Sequence, residues 1–153
     1  MVNKSEEYAI ILRKISCLFR STGSFMKKEL ESYNIGKGQF HFFMYLLKNG
    51  DGISQEKLSE ELNIDKGTTA RALNILINNN YVIKKVDKKD HRINRIYLTD
   101  KARKIEKEIE KLNIKWEEII TYGISEEELK VFENVLDKML DNLHNAKLRE
   151  EVK

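Results

Sequence analysis

The side chains best suited to chemistry in this chain are cations, and they are clustered. Between Lys66 and Arg95 stand Lys66, Arg71, Lys84, Lys85, Lys88, Lys89, Arg92 and Arg95, opposed only by Asp87 and Asp90. That local balance of +6 sits in a chain whose formal charge is +3, so the remainder is net acidic. Positive charge gathered on one module is the pattern that phosphate contact requires. A solvated basic surface would give the same count, so the elements carrying the cations must decide between the two. Other chemistries find little support. No glycine loop cradles a phosphate, and no Cys or His residues fall at metal-ligand spacing. His41, His91 and His144 are isolated, and Glu60-Glu61 and Glu117-Glu118 read as solvated helix faces. Neither an enzyme nor a bound cofactor is expected.

The cations fall on one short helix and the hairpin after it, and another short helix precedes them. Ser54 caps a helix over about Gln55 to Leu62, with Glu56 near its positive dipole end. Asn63-Ile64 makes a tight connection. Asp65 caps a second helix over about Lys66 to Asn79. After Asn80 the period changes, and Tyr81 to Val86 and Ile93 to Thr99 read as two strands rich in β-branched and aromatic residues. The polar loop between them, Asp87 to Arg92, makes a basic hairpin. On a helical wheel Thr69, Ala70, Leu73, Leu76 and Ile77 share one side of the second helix. Thr68, Arg71, Ala72 and Ile75 lie opposite, with Gly67 and Asn78 at the border. A helix with one side anchored and an arginine on the other can enter a major groove. There an arginine can take guanine O6 and N7 together, for about 1–3 kcal/mol of discrimination. Arg71 could equally form an ion pair or contact a phosphate. Lys66, at the helix start, is placed for a phosphate.

Longer helices flank this module. One is expected over about Ser5 to Tyr33, with Tyr8, Ile11, Ile15, Leu18, Thr22, Phe25 and Tyr33 near helical spacing, ended by Asn34-Ile35-Gly36. Lys37 to Lys48 is apolar on most sides through Phe40, Phe42, Phe43, Met44, Leu46 and Leu47, and should be central. Asn49-Gly50-Asp51-Gly52 is a turn. Beyond the hairpin, Thr99-Asp100 opens a charged helix to about Tyr122. Gly123 breaks it, and Ser125 with Glu128 forms a capping box for the last helix. Leu129, Phe132, Leu136, Met139, Leu143 and Ala146 are spaced 3, 4, 3, 4, 3 along that helix, a heptad-like seam. Such a seam suits either a partner subunit or intramolecular packing on the first helix. Apolar stripes at both chain ends, flanking a basic module, favour dimerisation. The expected organisation is therefore an N-terminal dimerisation helix (1–35), a winged helix-turn-helix (36–100) and C-terminal dimerisation helices (101–153).

At 153 residues the chain can bury a core without staples, and its 35% charged content requires long solvated faces. No apolar run is long enough to span a bilayer, and Glu6-Glu7 stand where a signal peptide would begin its apolar region. A single cysteine, Cys17, excludes an intrachain disulfide. These features fit a cytoplasmic protein.

From Gln39 to Ala102 the sequence resembles the MarR family of bacterial transcriptional regulators. Gln39-Phe40 opens the second helix. Gly52-Ile53-Ser54-Gln55-Glu56-Lys57-Leu58 matches the family's Gly-x-(Ser/Thr)-Gln-x-x-Leu at the start of the third. Ile64-Asp65-Lys66-Gly67-Thr68-Thr69-Ala70-Arg71 is similar to the opening of its recognition helix. Asn80-Tyr81-Val82-Ile83-Lys84 leads into the wing, Asp90-His91-Arg92 matches the wing's Asp-x-Arg, and Leu98-Thr99 opens the helix beyond. Gly36 replaces a usual Ser or Thr cap, Gly67 and Ala70 replace frequent hydroxyls, Ile75 a frequent polar or basic residue, and Ala102 a frequent glycine.

The resemblance implies a mainly α fold with a small β-hairpin wing. It implies a homodimeric regulator of repressor type reading a pseudo-palindromic operator in double-stranded DNA. The recognition helix (65–79) would lie in the major groove and the wing (84–95) in the adjacent minor groove. The DNA-contacting set would be Ser54, Gln55, Lys66, Gly67, Thr68, Thr69, Arg71, Lys88, Lys89, Arg92 and Arg95, with Arg92 or Arg95 entering the minor groove and Asp90 supporting the wing. The family also implies a small-molecule effector, phenolic or otherwise apolar. Tyr8, Phe19, Phe25, Tyr33 and Phe43 could line a cleft for it or simply form core. Some members sense peroxide through a first-helix cysteine. Cys17, with Arg13 and Arg20 about a turn away, could do this or pack as an inert small hydrophobe. A winged helix used for protein contact, as an adaptor or anti-regulator, is the reading from a different class; eight cations in thirty residues argue against it.

Overall fold

The element boundaries follow from a few local rules. Helices start where a hydroxyl or carboxylate can take the first free N–H groups, and stop where an asparagine or glycine turns left-handed. In the computed structural model, which describes residues 4–50 and 52–151, α1 (Lys4–Leu30) passes into one 3-10 turn (Glu31–Tyr33) and stops at Asn34, φ 55°. Then come α2 (Lys37–Asn49), the two-residue strand β1 (Ile53–Ser54), α3 (Gln55–Glu61) and α4 (Lys66–Asn78). β2 (Val82–Val86), β3 (Asn94–Leu98), α5 (Asp100–Thr121) and α6 (Glu126–Glu151) complete the chain. Residues 1–3, and Asp51 of the expected Asn49–Gly52 turn, lie outside the described residues.

The chain forms two compact units, one through Glu110 and one from Lys111. In the first, α2 is the hub. Phe40, Phe42, Phe43, Met44, Leu46 and Leu47 are all buried. Around them lie Met26 and Leu30 of α1, Leu58 of α3, Leu73 and Leu76 of α4, Val82, Ile96 and Leu98 of the sheet, and Ala102 and Ile109 of α5. A helix apolar on most sides can only sit at such a centre.

The sheet is antiparallel with the order β1-β3-β2. β3 pairs Leu98 with Val82 and Asn94 with Val86 on one side, and Ile96 with Ile53 and Arg95 with Ser54 on the other. Sequence periodicity indicated two strands, not three. β1 is too short for a period to register, and is recognisable only through its partner.

α4 ends in a dense knot of polar contacts. Asn80 adopts φ 59°, and the Tyr81 N–H returns to the Leu76 carbonyl at 2.9 Å. The Asn79 amide donates to the Asn34 carbonyl at 2.8 Å, and the Tyr81 hydroxyl donates to the Tyr33 carbonyl at 2.8 Å. Lys101 Nζ donates to the Asn79 carbonyl at 2.7 Å and lies 4.3 Å from the centre of the Tyr81 ring. Thr99 Oγ1 donates to the Asn80 carbonyl at 2.7 Å and accepts from the Ala102 N–H at 3.2 Å, capping α5. The end of α4 is thus joined to the end of α1 and the start of α5. A lysine at a helix C-terminus also opposes the negative end of the dipole.

In the second unit Gly123 takes φ 76° after α5, and Ser125 and Glu128 cap α6 reciprocally. The Glu128 N–H donates to Ser125 Oγ at 3.2 Å, and the Ser125 N–H donates to Glu128 Oε2 at 2.9 Å. Val131, Phe132, Val135, Leu140 and Leu143 of α6 are exposed, as are Tyr8, Ile10, Ile11, Leu12, Leu18 and Phe19 of α1 in the first unit.

Phe43 is fully buried and its ring centre lies 5.3 Å from that of Tyr81. Phe43→Ala is expected to lower unfolding free energy by about 3–5 kcal/mol, measured by urea denaturation. A loss under about 1 kcal/mol would show that α2 is not the centre of this core.

Candidate nucleic-acid interface

The helix-turn-helix is built from two caps. Ser54 Oγ accepts the Lys57 N–H at 3.1 Å and starts α3. Asn63, φ 49°, turns the chain, and the Ser59 hydroxyl donates to the Ile64 carbonyl across that turn. Asp65 Oδ1 then accepts the Thr68 N–H at 2.8 Å and starts α4. Hydrogen bonds from Thr68 hold the Asp65 carboxyl below its ordinary range. Lys66 Nζ is paired with the Glu56 carboxylate, tying the first turns of the two helices together. That contact holds Glu56 below and Lys66 above its usual value.

α4 buries Thr69, Ala72, Leu73 and Leu76, a stripe at i, i+3, i+4 and i+7. Two expectations are corrected here. Ala72, expected on the outward side, is buried, whereas Ala70 and Ile77 are only half-buried. The buried stripe therefore runs through Thr69, Ala72, Leu73 and Leu76. Thr69, expected among the DNA-contacting residues, is fully buried and its Oγ1 donates to the Asp65 carbonyl at 3.0 Å. The outward side carries Gly67, Thr68, Arg71, Asn74, Ile75 and Asn78, of which Thr68 is half-buried and the rest exposed. Arg71 Nη2 donates to Thr68 Oγ1 at 2.9 Å, so the two polar groups of the first turns form one unit. Asn74 was missed by the sequence reading; its spacing of three from Arg71 was the available signal.

The wing is the loop between β2 and β3. Asp87 Oδ1 accepts the N–H groups of Lys89 at 2.7 Å and Asp90 at 3.0 Å, and Oδ2 accepts from Arg95 Nε. The bond from Arg95 is the chief cause of an Asp87 pKa far below the carboxylate range. Asp90 Oδ1 accepts the Arg92 N–H at 3.0 Å and Arg92 Nε at 3.3 Å. The Arg92 side chain is nonetheless 92% exposed. Lys88, Lys89 and His91 are exposed beside it. Lys85 Nζ lies 5.2 Å from the Tyr97 ring centre.

A groove of about 310 Å³ joins these parts, lined by Ser54, Gln55, Glu56, Lys66, Lys84, Arg92, Ile93 and Asn94. The structure therefore brings Ser54, Gln55, Lys66 and Arg92 to one surface. It does not bring Arg95 there: that side chain is held at the base of the wing, between Asp87 and the Gly52 carbonyl. Cys17 lies on α1 and is exposed in the single chain. Of the five aromatic residues considered for a cleft, Phe43 is core, Phe25 and Tyr33 are half-buried, and Tyr8 and Phe19 are exposed.

A helix-turn-helix with an outward arginine, a basic hairpin following it and a groove between them define a winged-helix transcriptional regulator. The comparisons narrow the class. Residues 24–109 match the family described as transcriptional regulator SarA/Rot. A MarR transcriptional regulator from Methanosarcina mazei Go1 is 39% identical with a TM-score of 0.76, over 90% of this chain and 99% of that one. A MarR-family regulator from Listeria monocytogenes, solved in complex with 26mer DNA, is 30% identical with a TM-score of 0.78, over 88% and 89% of the two chains. The HTH-type transcriptional regulator YybA of Bacillus subtilis is 26% identical, over 87% of this chain and 88% of its own length. The chain belongs to the SarA/Rot family of transcriptional regulators and is of the MarR winged-helix type. Among the described residues no helix is long and apolar enough to cross a membrane.

The Asp87 carboxylate gives a pH expectation. A depressed folded pKa means its stabilisation is complete above the unfolded value of about 3.9 and is lost only as pH falls through the folded value. The side-chain carboxyl resonance of Asp87 should therefore stay unchanged between pH 8 and about 5, and move only in stronger acid. A titration centred near an ordinary aspartate value would show that the carboxylate is not held as described.

Proposed function

We propose that the protein is a homodimeric repressor. Two copies of α4 enter successive major grooves of a pseudo-palindromic operator, and the wings (84–95) reach the flanking minor grooves. The observation that carries this reading is the outward pair Thr68–Arg71 on a helix that buries Thr69, Ala72, Leu73 and Leu76 on its other side, near a groove lined by Lys66 and Arg92. Arg71 reads guanine, with Thr68 steadying the guanidinium. Lys66, Lys88 and Lys89 meet phosphates and fix register. Ser54, Gln55 and Gly67 border the same surface. Arg92 probes the minor groove from the wing tip, where Asp90 orients it. The Listeria relative solved with DNA supports a duplex as partner.

Selection from random-sequence DNA, followed by binding at two salt concentrations, tests this reading. An enriched inverted repeat is expected, with affinity falling as salt rises. Arg71→Ala should cost about 1–3 kcal/mol per half-site and relax selectivity at one base step in each. No enriched sequence, or equal affinity for selected and scrambled duplexes, would sink it.

The second copy covers the exposed apolar residues of α1 and α6. Phe132→Glu combined with Leu140→Glu is expected to give monomers in sedimentation and to abolish high-affinity operator binding. A dimer that persists with full affinity would remove α6 from the interface. The regulation that the family resemblance implies is a phenolic or other apolar small molecule that alters the spacing of the two recognition helices.

A further inference from the structure

Arg92 and Arg95 look equivalent in sequence, yet the fold uses them in opposite ways. Arg92 stands 92% exposed at the wing tip, with Asp90 as its partner. Arg95 is on β3, the central strand, opposite Lys85 of β2 and Ser54 of β1. Its side chain is 39% exposed, and that of its partner Asp87 only 13%. Nε donates to Asp87 Oδ2 on the wing side, and Nη1 donates to the Gly52 carbonyl at 2.8 Å on the other.

Each end of this bridge is itself anchored. Asp87 uses its second oxygen to gather the N–H groups of Lys89 and Asp90, so its carboxylate organises the first turn of the wing loop. The Gly52 N–H donates to the Ile96 carbonyl at 2.6 Å, so its peptide is gripped from both sides by consecutive residues of β3. Gly52 has φ +88°, and a Cβ there would stand 3.3 Å from the Tyr97 ring. Two residues on, Ser54 caps α3. β1 itself is only two residues long, so few ladder bonds hold that edge.

We propose that Arg95 is a positioning residue that locks the wing to the start of α3, setting the angle at which Arg92 meets DNA, and makes no DNA contact itself. A planar guanidinium suits this task, because its donors point in fixed, divergent directions that an ammonium cannot reproduce. Both Arg95 and Asp87 are largely committed to each other. The pair therefore adds little net charge to the surface, while Arg92 keeps its own charge at the tip. The proposal rests on the reading of the wing as a minor-groove element.

The full-length protein is compared with Arg95→Gln, Asp87→Asn, the double variant and Arg92→Ala. Each is tested on a duplex selected by the wild-type protein from random-sequence DNA. For Arg95→Gln, affinity should fall roughly tenfold, the scale of one lost charge-assisted hydrogen bond. The salt slope should stay unchanged, because no phosphate contact is lost. Hydroxyl-radical protection should shift in position within the flanking minor grooves while remaining there, and stay unchanged at the centre. Asp87→Asn should do the same, and the double variant should be no worse than either single one. Arg92→Ala should instead lower the salt slope by about two, one for each wing of the dimer. A reduced slope in Arg95→Gln, or additive losses in the double variant, would overturn the proposal. Arg95→Lys should not rescue affinity; full rescue would mean that charge alone matters.

Amide exchange without DNA separates this inference from the reading beneath it. Arg95→Gln should speed exchange together at Lys89, Asp90 and Gly52, with the melting temperature of the domain little changed. Faster exchange at the wing amides alone would refute the coupling. If Arg92→Ala alters neither the slope nor flanking protection, the minor-groove reading fails, and the exchange result still decides whether the lock exists.

Discussion

Everything the DNA-facing surface can do depends on α4 being immovable. Three kinds of contact achieve this, and their magnitudes differ. The buried stripe of Thr69, Ala72, Leu73 and Leu76 supplies most of the stabilisation, because a buried leucine contributes about 1.5–3 kcal/mol. The Asp65 cap fixes where the helix begins. The knot at Asn79, Tyr81 and Lys101 fixes where it ends. Each hydrogen bond there adds only about 0.5–1.5 kcal/mol, so these contacts matter less for stability than for orientation. Tyr33 and Asn34 at the end of α1, and Thr99 and Lys101 at the start of α5, all converge on that end of the helix. A displacement of either flanking helix near these residues must move α4 or break several bonds at once. The knot therefore ties α4 to the end of α1 and to the first turn of α5.

The sequence made most of this architecture legible, for identifiable reasons. Caps have specific chemistry, so Ser54, Asp65 and the Ser125–Glu128 box stand where residue type placed them. α2 was recognisable because six large apolar residues leave it no solvated face. β1 was not, since two residues cannot express an alternation. The misplacement of Ala72 has a related cause: an ideal wheel assigns sides by angle alone, and alanine has too little side chain to announce which side it occupies. The wheel set Thr69 on the anchored side, and the family resemblance alone counted it among the DNA contacts; a threonine in a helix can satisfy its hydroxyl on the carbonyl four residues back and so be buried without cost to hydrogen bonding. The long-range partners were beyond any local pattern. Nothing in the string around Arg95 points to Gly52, forty-three residues earlier in the chain.

The charge count of the module also changes meaning once partners are known. Of the eight cations between Lys66 and Arg95, Lys66 is paired with Glu56, Arg92 with Asp90 and Arg95 with Asp87. Glu56 lies outside that stretch, so the acids facing these cations number three, not two. Exposed pairs such as Lys66–Glu56 contribute little to folding, and salt screens them. Their value lies in what they do before DNA arrives: they hold long side chains near the groove without permanently committing them. A phosphate can replace a surface carboxylate at small cost. It cannot as readily replace Asp87, whose oxygens are already shared among two N–H groups and a guanidinium. Salt dependence should therefore report fewer phosphate contacts than the number of cations suggests.

One five-residue strand makes this division of labour possible. Side chains alternate across a strand, so β3 directs Ile96 and Leu98 into the core while Arg95 and Tyr97 face the other way. The apolar pair fastens the sheet to α2 and its neighbours. The outward pair organises what lies above it: Tyr97 receives Gly52 and Lys85, and Arg95 receives Gly52 and Asp87. Because β3 is central, it touches the strand that opens α3 and the strand that opens the wing at the same register positions. A wing on a free hairpin could swing about its base. A wing whose base shares a strand with the helix-turn-helix, and whose loop is tied by a side chain of that strand, has fewer ways to swing. Rigidity of that kind spares the complex much of the ordering cost of binding, so more of each contact at the tip appears as affinity.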